Sequence, residues 1–249
     1  MILPTDADSG FRLTPEQLDA ALTPRTRWVV LNAPGNPSGA TYDAGTLQAL
    51  AEVLRRHPHT WVLSDDIYAH IRFSDQPYAT LSVAAPDLAP RTLLVDGVSK
   101  AYAMTGWRVG WGCGPAALIA AINSVQSQNC TQTSTLSQLA AIAALEGPQD
   151  LLAERAAIYR RRRDAALAVL RRSPRLEVME PDGAFYLLPY VRGTRDDGDL
   201  ALRLLDAGVA TVPGSAFGAP GHLRLSFAAD EAVLAEGCRR LVEALEAGR

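Results

Sequence analysis

Three short stretches of the chain combine residue types that could do chemistry on a small molecule. The first is Ser99-Lys100-Ala101-Tyr102-Ala103-Met104-Thr105-Gly106-Trp107-Arg108, just beyond a short apolar run that ends at Asp96. A lysine at the mouth of a parallel sheet can be desolvated and held near cations. Both effects lower an amine pKa from about 10.4 and make it a usable nucleophile. Arg108 follows closely, and an arginine can grip a phosphate through two parallel hydrogen bonds. On spacing alone, Lys100 would be an ordinary surface lysine. The second stretch is Asn32-Ala33-Pro34-Gly35-Asn36-Pro37-Ser38-Gly39. Its prolines and glycines are those of any loop, but they do not account for an amide, Asn36, set between glycine and proline. The third is Ser64-Asp65-Asp66-Ile67-Tyr68, where either carboxylate could simply cap a helix.

What raises all three above those ordinary readings is where they fall. Trp28-Val29-Val30-Leu31, Trp61-Val62-Leu63 and Thr92-Leu93-Leu94-Val95 are short, apolar on both faces and bounded by turn residues, so each reads as a buried strand. They recur about every 32 residues, the length of a strand, a crossover helix and a return. Leu47, Leu50, Ala51 and Leu54 supply one helical face between the first two. Thr14-Pro15-Glu16-Gln17 predicts an earlier helix: a threonine cap, proline at the first helical position, and glutamine three residues after the cap. This half is α/β with a largely parallel sheet. Ligands of such sheets bind outside the carboxyl ends of the strands, and Asn32, Asp65 and Asp96 mark those ends.

The pattern then turns helical. Leu118, Ile119, Ile122 and Val125 share a face, as do Leu136, Leu139, Ala140 and Ala143. A long helix is expected from Leu151 to Arg172, ended by Ser173-Pro174. Short strands follow around Phe185 to Pro189 and Leu223 to Phe227. A closing helix carries Leu234, Cys238, Leu241, Val242 and Leu245 on one side. This is a smaller α+β unit, with the long helix as linker. The expected division is residues 1–150 and residues 151–249.

The formal net charge of −3 gives no electrostatic footprint for nucleic acid or an acidic membrane. Arg160 to Arg163 form the densest basic run and read as a solvated helix face. No apolar run is long enough to span a bilayer, and the N-terminus lacks the pattern of a signal peptide. Cys113, Cys130 and Cys238 are odd in number and widely spaced, which disfavours a disulfide framework and suits a reducing cytoplasm. No metal site is expected: His57 and His59 flank Pro58 with no third ligand at suitable spacing, and His70 and His222 stand alone.

As a set, in order and spacing, the three stretches resemble those of the class I/II aminotransferases, the fold-type I enzymes that use pyridoxal 5'-phosphate (PLP). Asp96 to Trp111 is especially similar to the aspartate and prephenate aminotransferase branch of bacteria. The resemblance implies that Lys100 forms the Schiff base with PLP and then shuttles the proton between the substrate α-carbon and the cofactor. It implies that Asp65 pairs with the pyridine nitrogen and keeps it protonated, which makes the ring an electron sink. Asn36 and Tyr68 correspond to donors to the phenolic oxygen, and Ser99 and Arg108 to phosphate ligands. Gly221-His222-Leu223-Arg224-Leu225-Ser226 resembles the segment whose arginine binds the substrate α-carboxylate, a role that suits the planar fork of Arg224; without that likeness, Arg224 is a strand arginine with a local ion pair. Pro181-Asp182-Gly183-Ala184-Phe185-Tyr186 and Val212-Pro213-Gly214-Ser215 also match and are expected to shape the cleft. The family's homodimer, with sites at the subunit interface, is implied as well.

Gly97 stands where many relatives have a serine, and Thr131-Gln132-Thr133 replaces the more usual Ser-Asn-Pro. The resemblance begins after the family's N-terminal arm, its phosphate-cradling helix and the aromatic that stacks on the pyridine ring. Two sheet strands are also expected to be missing, one beside Val109 to Gly112 and one pairing with a strand at Ile2 to Pro4. Unpaired edges are costly, so the chain alone is expected to be poorly stable and to bind PLP weakly or not at all. The implied activity is transfer of an amino group between an amino acid, aspartate or glutamate, and a 2-oxo acid. The alternatives are a related PLP enzyme such as a carbon-sulfur lyase, or a non-catalytic chain: an inactive remnant or a binding domain.

Overall fold

The computed structural model describes residues 1–74 and 77–247. Its main sheet holds β1 (Trp28–Asn32), β2 (Trp61–Asp65), β3 (Thr92–Gly97) and β4 (Gly110–Cys113), in that spatial order. The first three are parallel and β4 runs antiparallel to β3. Registers pair Asn32 with Asp65 and Asp65 with Val95. The polar ends of β1, β2 and β3 therefore lie along one edge, as the sequence pattern requires.

Local signals set the flanking helices. In α1 (Pro15–Ala21), the Thr14 side chain accepts from the Gln17 N–H and the Gln17 side chain accepts from the Thr14 N–H, a reciprocal cap. In α2 (Ala44–Arg55), Asp43 caps the Thr46 N–H. Leu47, Leu50, Ala51, Val53 and Leu54 of α2 are buried against Leu18, Val29, Leu31 and Val62. A short helix, α3 (Leu81–Ala84), adds Leu81 to the same core.

β1 differs from the fully buried strand expected of it. Val29 and Leu31 are buried, but Trp28 is 40% and Val30 63% exposed. The strand lies at the sheet edge, and α1 and α2 cover only one of its faces. Ile2 to Pro4 form no strand either. The first expectation took local apolarity for cover, and the second took a strand from the resemblance whose pairing partner is absent; only tertiary partners provide either. Gly97 has a local reason: an added Cβ would come within 2.7 Å of the Val109 carbonyl oxygen, so the β3–β4 approach leaves no room for a side chain.

The helices α4 (Ala116–Asn129) and α5 (Thr135–Glu146) form as expected, but their apolar faces are not covered. No residue of α4 is buried, and only Ala141 is in α5. The long helix α6 (Asp150–Leu170) packs on α8 (Glu231–Ala247), with Ala166, Leu167 and Leu170 against Cys238, Leu241 and Leu245. Between them lie β5 (Leu176–Glu177), β6 (Tyr186–Leu187), β7 (Tyr190–Val191), α7 (Asp197–Asp206), β8 (Val212–Pro213) and β9 (Leu223–Ser226). β5 pairs with β7, and β9 lies between β6 and β8. Tyr68, Ile71 and Phe73, from the turn after β2, belong to this second core.

The basic run in α6 is not uniformly solvated. Arg163 is 7% exposed. It donates to Pro181 O at 3.1 Å, pairs with Glu180 at 3.0 Å and Asp164 at 2.7 Å, and stacks 4.8 Å over the Phe73 ring. Its planar charge satisfies a loop carbonyl while its stem packs on apolar surface. No helix among the described residues is long and apolar enough to cross a membrane, and no group of three or more histidine, cysteine, aspartate or glutamate residues among them could hold a metal ion.

Candidate active site

The turns that follow β1, β2 and β3 place the polar residues. The Asn32 side chain donates to Asp65 O at 3.2 Å and accepts from the Asn36 N–H at 2.9 Å, folding the loop so that Asn36 stands at the sheet edge. The peptide bonds Ala33-Pro34 and Asn36-Pro37 are cis. Gly183 lets the second core approach this loop. A Cβ there would lie 2.7 Å from both Ile71 O and Pro34 Cγ. The Arg12 side chain ties the same region, donating to Thr41 O and to Asp182, each at 2.6 Å.

Five of the residues singled out in the sequence come together. The Lys100 Nζ lies 5.9 Å from the centre of the Tyr68 ring. The Tyr68 and Tyr186 hydroxyls are 3.0 Å apart. The Arg224 guanidinium lies 4.8 Å over the Tyr186 ring and 5.0 Å over the Phe217 ring, held between two aromatics. Its Nη1 donates to Asn36 Oδ1 at 3.1 Å. Asp65, at the end of β2, acts electrostatically on Tyr68 from the side of the sheet. Residues from the turns after β1, β2 and β3 thus come together with Tyr186 of β6 and Arg224 of β9.

The charges here are under-compensated. Burial raises the Asp65 carboxyl above its ordinary range, and the Ile67 N–H, donating at 3.2 Å, only partly opposes that. No cation among the described residues pairs with Asp65. Burial likewise raises Asp96, against the Gly97 N–H and the nearby His70. Tyr68 is raised by burial first and then by its contact with Tyr186, so it stands as a neutral phenol and hydrogen-bond donor. A half-buried carboxylate with no cation partner among the described residues, close enough to act on a neutral phenol, fits a ligand that brings its own cationic N–H together with an acceptor oxygen.

Ser99 and Arg108 lie on the loop from β3 to β4, apart from this contact network. Arg108 is exposed, has a left-handed backbone (φ 57°), and donates to Thr105 O at 2.9 Å. Thr131 is exposed and also left-handed, at φ 62°. Sequence reasoning had treated Tyr186 only as a wall of the cleft and missed Phe217. An aromatic pair facing a candidate carboxylate-binding arginine carries no signal in one sequence, because the partners come from separate turns. Asp197 was missed too. It accepts from the N–H groups of Ser215 and Gly221 at 2.9 and 3.0 Å, and so holds the loops on either side of Phe217.

Residues 1–241 match the family model for aminotransferase class I and II. The aspartate aminotransferase of Rhizobium meliloti (strain 1021) is 48% identical over 99% of this chain and 63% of its own length. The aspartate/prephenate aminotransferase of Cereibacter sphaeroides is 43% identical over 94% of this chain and 62% of its own length. The crystal structure of the Rhizobium meliloti aspartate aminotransferase superposes with a TM-score of 0.94 at 48% identity, covering 97% of this chain and 64% of that one. The chain thus spans less than two thirds of the length of these relatives. A match across nearly its whole length, together with the same fold, shows that the chain belongs to the class I and II aminotransferases.

Proposed function

We propose that the chain serves PLP-dependent transamination, moving an amino group between an amino acid, aspartate or glutamate, and a 2-oxo acid. The observation that carries this reading is the unbroken line of contacts from Lys100 across Tyr68 and Tyr186 to Arg224 and Asn36, beside the uncompensated carboxylate of Asp65. The names of the relatives support aspartate as the dicarboxylic substrate.

PLP, when bound, supplies an electron-withdrawing ring and a carbon that takes up the amino group. Lys100 would hold it and, as the free amine, would carry the proton to and from the substrate α-carbon. Asp65 would pair with the ring N–H, a cation that would relieve its burial. Tyr68 and Asn36 would donate to the ring oxygen, while Ser99 and Arg108 would hold the phosphate. Arg224, clamped between Tyr186 and Phe217, presents its remaining N–H groups to the substrate α-carboxylate. In the whole protein this reading places the site in a homodimer, and the exposed Val125, Leu136, Leu139 and Ile142 of α4 and α5 offer apolar surface for such an assembly. The free cysteines accord with the cytoplasm.

The test is a titration of the purified chain with PLP, followed by addition of aspartate or glutamate without an acceptor. The expected result is weak, lysine-dependent binding and one equivalent of 2-oxo acid per occupied site, both lost in Lys100→Ala. Repeated turnover without an acceptor would assign elimination chemistry instead. Absence of lysine-dependent binding would make the chain a non-catalytic member of the family.

A further inference from the structure

Lys100 is the only lysine in the chain. It sits on a tight turn, Val98 to Met104, and its neighbours there are buried. Val98, Ala101 and Tyr102 pack with Ala141 of α5, backed by Leu151 and Leu152 of α6. Ala103 has a left-handed backbone (φ 55°), which costs energy for a residue with a Cβ and persists only where the surroundings impose it. Two side-chain hydrogen bonds fasten the turn. Arg155 Nη1, on α6, donates to Ala101 O at 2.9 Å. Ala101 is buried, and no backbone N–H among the described residues donates to that carbonyl. The Tyr102 hydroxyl donates to Gln149 Oε1 at 2.6 Å, at the joint between α5 and α6. The other end of the amide fixes the direction of that bond. Gln149 Nε2 lies 3.1 Å from Ala144 O, 3.1 Å from Leu145 O and 2.6 Å from Gly147 O, where the end of α5 leaves acceptors unpaired. Only the amide nitrogen can face three acceptors, so the amide oxygen faces Tyr102.

We propose that Arg155, with Tyr102 and Gln149, positions Lys100: the three fasten its turn to the start of α6 and so hold the amine over the Tyr68 ring. Arg155 is the stronger anchor. A charged donor binds a carbonyl more tightly than a neutral one, and its loss strands a buried acceptor without a partner. About two turns further along α6, Arg163 donates to Pro181 O. The Pro181 loop is the one whose Gly183 seats against Pro34 in the Asn36 turn. One stiff helix therefore holds the Lys100 turn at its start and the support of the Asn36 turn at its middle.

That Lys100 meets a cofactor rests on the transamination reading; that Arg155 fastens its turn does not. A sole lysine allows a test without PLP, because the full chain then has only two kinds of amine, Lys100 and the exposed α-amine of Met1. Reductive methylation with formaldehyde and a borane, read by mass spectrometry of the peptides, gives the rate at Lys100 relative to that at Met1. In Arg155→Leu this ratio rises about fivefold, as loss of one anchoring hydrogen bond implies, while amide exchange in α2 is unchanged. A single bond to a carbonyl needs no planar fork, so Arg155→Lys, whose added amine falls on a separate peptide, stays within about twofold of the wild type. Arg161→Leu removes a charge from the exposed side of the same helix and leaves the ratio unchanged. A ratio in Arg155→Leu within about twofold of the wild type would overturn the proposal, as would an equal rise in Arg161→Leu or equally faster exchange in α2. Should Arg155→Leu fail to fold, Tyr102→Phe decides in its place: it removes the second bond, keeps the ring in the core and raises the ratio about threefold. With no PLP present, failure of the transamination reading leaves these ratios untouched, and unchanged ratios leave that reading untouched.

Discussion

The Tyr68 hydroxyl, on the turn after β2, lies 3.0 Å from the Tyr186 hydroxyl on β6, and both rings are buried. The two phenols share a hydrogen bond between residues 118 positions apart. Tyr186 also carries the Arg224 guanidinium on its face. If Tyr186 donates to Tyr68, the Tyr68 proton is free for a ligand beside Lys100. Tyr186→Phe keeps the ring under Arg224 but leaves the buried Tyr68 oxygen without its partner. The expected cost is about 1–2 kcal/mol. The double variant Tyr68→Phe/Tyr186→Phe should be no less stable than either single one, because both partners of the bond are removed. Denaturant unfolding of the four proteins measures the coupling, and additive losses would show that the two hydroxyls do not interact.

Arg224 is held by geometry as much as by charge. Tyr186 and Phe217 lie on its guanidinium at 4.8 and 5.0 Å, and Asn36 takes one N–H. Lysine would keep the charge and lose both the planar stacking and the two-pronged grip on a carboxylate. Under the transamination reading, Arg224→Lys lowers kcat/KM for aspartate by roughly a hundredfold, about 3 kcal/mol. PLP binding should be little changed. Steady-state kinetics with a parallel PLP titration separates the two, and an equal loss of cofactor affinity would mean that Arg224 organises the site rather than binding substrate.

Asp65 should pull stability and function in opposite directions. Its folded pKa is raised by burial, so its contribution is most favourable below its ordinary value near 3.8 and is lost as pH rises through the higher folded value. At neutral pH it is a half-buried charge opposed only by the Ile67 N–H. Asp65→Asn removes that penalty and raises the Tm of the cofactor-free chain by roughly 1–3 °C at pH 7, with no gain at pH 3.5. Under the transamination reading, the same change removes the partner of the ring N–H and weakens PLP binding about tenfold or more. Thermal unfolding at the two pH values tests the first part. A loss of Tm at pH 7 would mean that Asp65 is already compensated.

Much of this arrangement can be read in the sequence, because it depends on short-range rules. Asn32, Asp65 and Asp96 end apolar runs of strand length, and parallel pairing brings those ends to one edge. Thr14 and Gln17 announce their helix because a cap is a local exchange of hydrogen bonds. What failed depended on distant partners. The exposed face of Trp28 and Val30 follows from having no layer over β1, which an apolar pattern cannot reveal. Tyr186 and Phe217 gain their roles from side chains far along the chain. Arg163 looked like its neighbours because a run of four arginines carries no mark of which of them turn inward.

That inward turn can be tested. Arg163 joins α6 to the Pro181 loop and to Phe73, the same loop whose Gly183 seats against Pro34 in the Asn36 turn. Its partners Glu180 and Asp164 are about half exposed and can be rehydrated once it is gone, whereas the Pro181 carbonyl and the Phe73 face lose their contacts. Discounting the full cost of breaking a buried pair for that rehydration leaves about 2 kcal/mol for Arg163→Leu, a fall in Tm of roughly 4–8 °C. Arg161 provides the comparison. Its pair with Glu231 spans 3.8 Å with both side chains more than 60% exposed, and Arg161→Ala should leave Tm within about 1–2 °C of the wild type. Thermal unfolding of both variants at low and high salt completes the measurement. The Arg163 effect should persist in salt because it is mainly packing and a carbonyl hydrogen bond, whereas equal, salt-sensitive losses would place both arginines on the solvated face.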